Sequence, residues 1–253
     1  MLKKILLLAG AVAAMSAAAQ TQTKVVAHRG HWRTEGSAQN SLTSFAKADA
    51  AGVYGSEFDV WLTADNKLVV NHDRKFKGVV MDASDLKTVR TIVLDNGEQL
   101  PTLDEYLKAA KRYPATRLVL EMKSLESPVR ERLAAGLIVK KLKKYGLLDR
   151  TDIIAFSLNA CMEFSRLLPD NKVYYLNGDL TPQQVKKLGF AGCDYQDKVL
   201  KAHPEWVKQF HDLGMEVNVW TVDKPEDMKY FIGLGVDYIT TNEPEVLNGL
   251  LKE

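Results

Sequence analysis

The sequence predicts a (β/α)8 TIM barrel with a small insertion after its second strand. Two regularities point there. Eight short apolar strand-like runs alternate with eight amphipathic helical runs, and several of the helical runs open on proline or close on glycine. A third observation concerns chemistry: histidines, carboxylates and basic residues gather at the ends of the first three strand-like runs, where such a barrel places its active groups. The alternation also suits a doubly wound open sheet, but eight units in a chain of 253 residues match the barrel in number and length.

The strand-like runs fall at 25–28, 56–62, 117–122, 152–156, 173–176, 192–195, 217–221 and 238–241. The helical runs fall between and after them, at 41–51, 103–112, 128–145, 159–167, 182–188, 204–213, 225–234 and 244–251. Pro128, Pro182, Pro204, Pro225 and Pro244 stand at first helical turns, where the missing N–H is harmless. Gly52, Gly146, Gly189, Gly214 and Gly235 follow last turns, where a left-handed residue ends a helix.

One run breaks the alternation. Residues 68–72 follow strand two after only Ala64-Asp65-Asn66-Lys67, too short for a crossover helix, so this strand is expected to run antiparallel to strand two. A two-residue turn at Asp65-Asn66 would set His72 opposite Asp59. Residues 74–100 then form an excursion over the barrel, and the insertion spans approximately 64–100.

The N-terminus reads as an export signal. Lys3 and Lys4 precede an apolar run at 5–15, and Ala17-Ala18-Ala19 offers the small residues of a cleavage site. The run is short for a bilayer span of ~20 residues. Cleavage after Ala19 leaves a domain of residues 20–253 that works outside the cytoplasm, periplasmic or extracellular, with no membrane anchor. It removes two of the 34 basic residues and no acidic one, so 32 basic face 32 acidic residues. That balance offers no footprint for nucleic acid or anionic membranes. Cys161 and Cys193, each beside small or apolar residues, read as two buried free thiols and not as a metal or redox pair.

The chemistry is concentrated between Val25 and Asp73. His28-Arg29-Gly30, Glu57-Phe58-Asp59 and His72-Asp73 lie there, with three of the chain's five histidines. Histidine exchanges protons near neutral pH, and a Glu and an Asp two apart on a strand share a face. This combination suggests metal-assisted acid–base chemistry.

These motifs resemble the glycerophosphodiester phosphodiesterase family. The resemblance rests on His28-Arg29-Gly30, Gly55-Ser56-Glu57-Phe58-Asp59-Val60, Leu62-Thr63-Ala64-Asp65, Val69-Val70-Asn71-His72-Asp73 and Leu120-Glu121-Met122-Lys123. It continues through Val217-Asn218-Val219-Trp220-Thr221-Val222-Asp223 and the closing Gly235-Val236-Asp237-Tyr238-Ile239-Thr240-Thr241-Asn242. It implies the same barrel with an insertion after strand two, and hydrolysis of glycerophosphodiesters to an alcohol and glycerol 3-phosphate with a divalent cation, Ca²⁺ or Mg²⁺. It further implies that the substrate's own glycerol hydroxyl attacks phosphorus and that water opens the resulting cyclic phosphate.

Within that resemblance Glu57, Asp59 and Glu121 are the expected metal ligands, an all-oxygen set suited to a hard cation. His28 and His72 are the expected acid–base pair, Arg29 and Lys123 the phosphate binders, and Trp220 an apolar wall. Arg29 and Lys123 each have a second reading as ion-pair partners of the same carboxylates. His31 is expected behind the site or at the surface; His203 and His211 are expected at the surface or capping a late helix. One departure stands out: where the family shows Pro-Glu-Asn-Thr, this chain has Ala38-Gln39-Asn40-Ser41, with Gln39 in place of the carboxylate and Asn40 available to cap the helix. The same set of residues would also serve an inositol- or lysolipid-type lyase or phospholipase, or a non-catalytic module binding phosphorylated polyols.

Overall fold

The computed structural model describes residues 22–252; the predicted export signal at 1–19 lies outside the described residues. Eight parallel strands close on themselves: β1 (Lys24–Ala27), β2 (Gly55–Leu62), β3 (Arg117–Met122), β4 (Thr151–Ala155), β5 (Val173–Tyr175), β6 (Gly192–Gln196), β7 (Glu216–Trp220) and β8 (Tyr238–Thr241). Each pairs with its sequence neighbours, and β1 pairs with both β2 (Val26 beside Gly55) and β8 (Val25 beside Ile239), so no barrel edge is left open. The predicted boundaries of β3 and β8 coincide with the observed ones, and the others shift by a residue or two.

The outer layer comprises α1 (Leu42–Ala50), α2 (Leu103–Ala110), α3 (Pro128–Tyr145), α4 (Leu158–Leu167), α5 (Pro182–Leu188), α6 (Glu205–Asp212), α7 (Pro225–Leu234) and α8 (Pro244–Leu250). Their apolar stripes explain why they pack: α2 buries Leu103, Tyr106, Leu107 and Ala110, the i, i+3, i+4, i+7 pattern. A capping box of Thr102 and Glu105 opens it. Two short helices escape the sequence pattern, Leu86–Val89 in the insertion and Asp197–Ala202 after β6. Each buries one side chain, too few to show a period. Among the described residues no helix is long and apolar enough to cross a membrane. Cys161 and Cys193 are free and buried, as expected.

Two kinds of core follow from the period of two along each strand. Outward residues such as Phe58, Val60, Leu118 and Leu120 join the helices in the main core. Inward residues Val26, Val119, Ile154, Tyr174, Leu176 and Tyr238 form a separate plug inside the barrel. Adjacent strands approach closely at Gly192, where a Cβ would stand 1.8 Å from the carbonyl oxygen of Glu216, so no larger residue fits.

The insertion has its own small core of Trp61, Val69, Met81, Val89, Ile92, Leu94 and Leu100, with Ala38 from the first loop. Glu98 docks it onto the barrel by accepting hydrogen bonds from the backbone N–H groups of Leu42 and Thr43 at the start of α1 (2.9 and 3.1 Å). Residues Leu68–Val70 run antiparallel to β2, as expected. Their register is one residue away from the expected one. Leu62 pairs with Leu68 and Val60 with Val70, across a three-residue connection in which Asn66 is left-handed (φ 62°). The Thr63 hydroxyl closes this turn on the Lys67 N–H (2.9 Å), and the Thr63 N–H donates to the Lys67 carbonyl (2.8 Å). Asp59 consequently faces Asn71, whose N–H donates to the Asp59 carbonyl, and not His72. His72 follows after the chain has left the ladder.

Candidate active site

The strands bring the carboxylates together. Glu57 and Asp59 point inward from β2, and the parallel register sets Glu121 of β3 directly beside Asp59. One carboxylate oxygen from each of the three lies within 4.8 Å of the others, and all three residues are buried. Asp59 is the best supported. Asn40 donates to its Oδ2 (2.8 Å), Lys123 Nζ lies 3.1 Å from its Oδ1, and Arg29 Nε lies 4.0 Å away. Burial opposes ionisation, but Lys123, then His72 and Arg29, hold Asp59 down at about 2.

Its neighbours behave in the opposite way. Burial, then the charges of Asp59 and Glu121, push Glu57 well above the usual carboxylate range, although the Arg29 N–H donates to its Oε2 (2.7 Å). Its Oε1 is buried with no hydrogen-bond partner. Glu121 rises to about 7 through burial and the Asp59 charge, despite Lys123 Nζ lying 2.7 Å from its Oε1. Three buried carboxylates share one ammonium, and among the described residues neither Glu57 Oε1 nor Glu121 Oε1 has a hydrogen bond, the latter meeting only the Lys123 ammonium. This is a donor set that a divalent, oxygen-preferring cation fits. Lys123 sits among the carboxylates themselves, as its ion-pair reading expected.

Arg29 is aimed by an unusual backbone. Its φ is 56° and that of Gly30 is 76°. A Cβ on Gly30 would lie 2.4 Å from Ser44 Oγ and 2.7 Å from the Ser44 backbone. Gly30→Ala is therefore expected to destabilise the fold by roughly 1–3 kcal/mol or more, measured by urea unfolding. Arg29 Nη1 donates to Gln39 Oε1 (2.6 Å), so the neutral amide orients the guanidinium without cancelling its charge. Asn40 does not cap α1. Ser41 does, accepting from the Ser44 N–H, while Asn40 turns left-handed (φ 59°) and braces Asp59 through both amide atoms.

The histidines are oriented differently. His28 Nδ1 lies 2.9 Å from Asn242 Oδ1. The amide of Asn242 is itself fixed: its Nδ2 donates to Asp223 Oδ2 (2.8 Å), and Trp32 Nε1 donates to its Oδ1 (2.8 Å). Asn242 Oδ1 is therefore an acceptor, His28 Nδ1 carries the hydrogen, and His28 Nε2 keeps its lone pair. Burial and then the Arg29 charge lower His28 to about 4, so the ring is neutral at pH 7. His72 is half-buried and donates through Nδ1 to the Asp73 carboxylate (2.7 Å). Burial, with Lys123 and Arg29, also lowers it, against the pull of Asp59 and Asp73.

Two cavities meet at His72. The inner one, about 170 Å³, is lined by His28, Arg29, Glu57 and Glu121 on one side and by Phe156 and Trp220 on the other. The outer one, about 320 Å³, lies between the first loop and the insertion, against Trp32, Gln39, Asp73, Phe76, Leu94 and Asp95. A larger groove of about 460 Å³, outside the barrel along α3, contains none of the predicted site residues. Trp220 stands edge-on to Phe156 and donates to the Asp194 carbonyl (2.8 Å). All eight predicted site residues thus lie in one region. His31 is buried, and His203, which stacks on Trp206, and His211, bonded to Asp237, lie away from it. The supporting roles of Asn40, Asn242, Asp223 and Trp32 were not read from the sequence. Strand parity alone, counting inward from Tyr238 and Thr240, would have marked Asn242.

The sequence profile described as "Glycerophosphoryl diester phosphodiesterase family" matches residues 28–246. The chain is 29% identical over 252 residues to a glycerophosphodiester phosphodiesterase of Caldanaerobacter subterraneus subsp. tengcongensis, covering 92% of this chain and 99% of that protein. In three dimensions it is similar to a glycerophosphodiester phosphodiesterase from Parabacteroides distasonis, with 51% identity, a TM-score of 0.91, and coverage of 92% of this chain and 98% of that one. An Oleispira antarctica phosphodiesterase in complex with the product sn-glycerol-3-phosphate shares the fold at 22% identity and a TM-score of 0.79, over 92% of this chain and 98% of that one.

Proposed function

We propose, from the premise that this chain belongs to the glycerophosphoryl diester phosphodiesterase family and is a phosphoric diester hydrolase, that it cleaves glycerophosphodiesters to glycerol 3-phosphate and an alcohol by two-histidine catalysis with a divalent cation. The observation that carries this reading is the triad of Glu57, Asp59 and Glu121, two of whose members, Glu57 and Glu121, line one small cavity together with His28. A cation held by those three carboxylates, Ca²⁺ or Mg²⁺ by their chemistry, would add positive charge at the phosphoryl oxygens. The product bound in the Oleispira antarctica structure is the kind this reading requires.

The ring orientations support one proton path. His28 Nε2 takes the proton of the substrate's glycerol hydroxyl as its oxygen bonds to phosphorus. His72 gives a proton to the departing alcohol oxygen as the second phosphorus–oxygen bond breaks. The substrate's negative charge lets His72 hold that proton, and its position between the two cavities puts the alcohol on the outer side. Water then opens the cyclic phosphate with the two roles exchanged. Arg29, oriented by Gln39 but not neutralised by it, and Lys123 bind phosphate oxygens. An export signal at 1–19 would put this reaction outside the cytoplasm.

The test is a panel of glycerophosphodiesters, glycerophosphocholine and glycerophosphoethanolamine among them, incubated with Ca²⁺, Mg²⁺ or Mn²⁺. Release of glycerol 3-phosphate is expected, and its absence with every cation would sink the proposal.

A further inference from the structure

The inner cavity is divided by chemistry. Its charged side holds His28, Arg29, Glu57 and Glu121, the groups used above. Its other side is a wall of Ile154, Phe156, Leu176 and Trp220. One carboxylate breaks that wall. Asp194 lies on β6, next to the apolar strand β5, and lines the cavity while being only 1% exposed. Its Oδ1 is buried and has no hydrogen-bond partner among the described residues. It is not one of the three carboxylates clustered for a cation. Thr240, which also lines the cavity, is engaged with Asn218 (2.9 Å).

A buried polar atom without a partner is rare and calls for a reason. Here the reason lies in the reaction: a glycerophosphodiester carries free hydroxyls on its glycerol half. We infer that Asp194 is the residue that recognises the glycerol moiety, bonding one of its hydroxyls through the carboxyl group that lines the cavity. A carboxylate accepts from a hydroxyl and a carboxyl can also donate to one, so the contact does not depend on the protonation state of Asp194. The apolar wall holds the carbon chain, and the charged side holds the phosphate. At about 170 Å³ the space falls below the ~300–1,000 Å³ of drug-sized pockets, a scale suited to a three-carbon polyol and not to an acylated lipid. This inference rests on the reading of the substrate given above.

The test compares two ligands of equal charge, glycerol 3-phosphate and propyl phosphate, by calorimetric titration of the full chain with Ca²⁺ or Mg²⁺ present. The parent is expected to bind glycerol 3-phosphate at least about tenfold more tightly, because a site built to bond a hydroxyl rejects the analogue lacking it. Asp194→Leu, which keeps the branching but no polar atom, should bring that ratio below about threefold, and Asp194→Asn, which keeps one oxygen, should fall between. An undiminished ratio in Asp194→Leu would overturn the inference. So would a parent that does not discriminate, a result that needs no variant to fold. The titration does not require turnover. A parent that releases no glycerol 3-phosphate in the assay refutes the proposed reaction, and the two monoesters still decide the role of Asp194.

Discussion

His28→Ala is expected to lower kcat for glycerophosphodiester hydrolysis by about 10²–10⁴-fold, the range of a positioned general base, with little change in stability. The reason is the single lone pair at Nε2, left facing the cavity because Nδ1 is committed to Asn242. Asp223→Asn should cost about 10–100-fold without touching the substrate, since a neutral partner no longer fixes the Asn242 amide and both tautomers of His28 become accessible. With the cation saturating, the acid limb of kcat/KM should lie well below pH 6.5. A base works when unprotonated, so activity falls as pH drops through its pKa, which burial and Arg29 hold at about 4. A limb at 6.5 attributable to His28, or an Asp223→Asn protein with parental kcat, would contradict this account.

Removing the cation should abolish turnover and weaken the fold together. Glu57 and Glu121 have folded pKa values raised above their unfolded ones, so their contribution to stability is present below about pH 4.5 and is lost as pH rises, for Glu121 through about 7. The cation-free protein is therefore expected to melt at progressively lower temperature between pH 4.5 and 7. Saturating Ca²⁺ or Mg²⁺ should oppose that loss, adding ~2.7 kcal/mol at a hundredfold excess over Kd. Glu57→Gln removes a buried carboxyl whose ionisation the fold opposes, so it should raise the Tm of the cation-free protein at neutral pH while eliminating both the cation-induced rise and the activity. Thermal melts at fixed pH with and without cation decide this. A Glu57→Gln protein that still gains Tm with Ca²⁺ or Mg²⁺ would place the cation elsewhere.

Much of this molecule was legible in its residues. Period-two alternation placed Glu57 and Asp59 on one face, and proline and glycine punctuation located α3, α5 and α7 to the residue. What stayed hidden was contact between distant segments. The Asp65-Asn66 dipeptide suggests a turn one residue shorter than the one the Thr63 hydroxyl closes. The shorter turn would give His72 a strand partner it does not have. Asn40 read as a helix cap because its partner Asp59 is nineteen positions away. The short helix Asp197–Ala202 buries only Leu200, so it carries no period to detect.

The sequence by itself determined the barrel, the insertion, and the carboxylate, imidazole and cationic side chains at the strand ends. These are local properties: spacing decides which side chains share a face, and residue type decides what they can donate or accept. Tertiary structure alone decided which His28 nitrogen keeps its lone pair, that Lys123 lies among the carboxylates, and that Asp194, a residue of the cavity lining, keeps an oxygen without a hydrogen bond among the described residues. Those outcomes depend on partners as far apart as His28 and Asn242, 214 positions along the chain. Only closure of the barrel, with β1 against β8, brings such pairs within hydrogen-bonding distance.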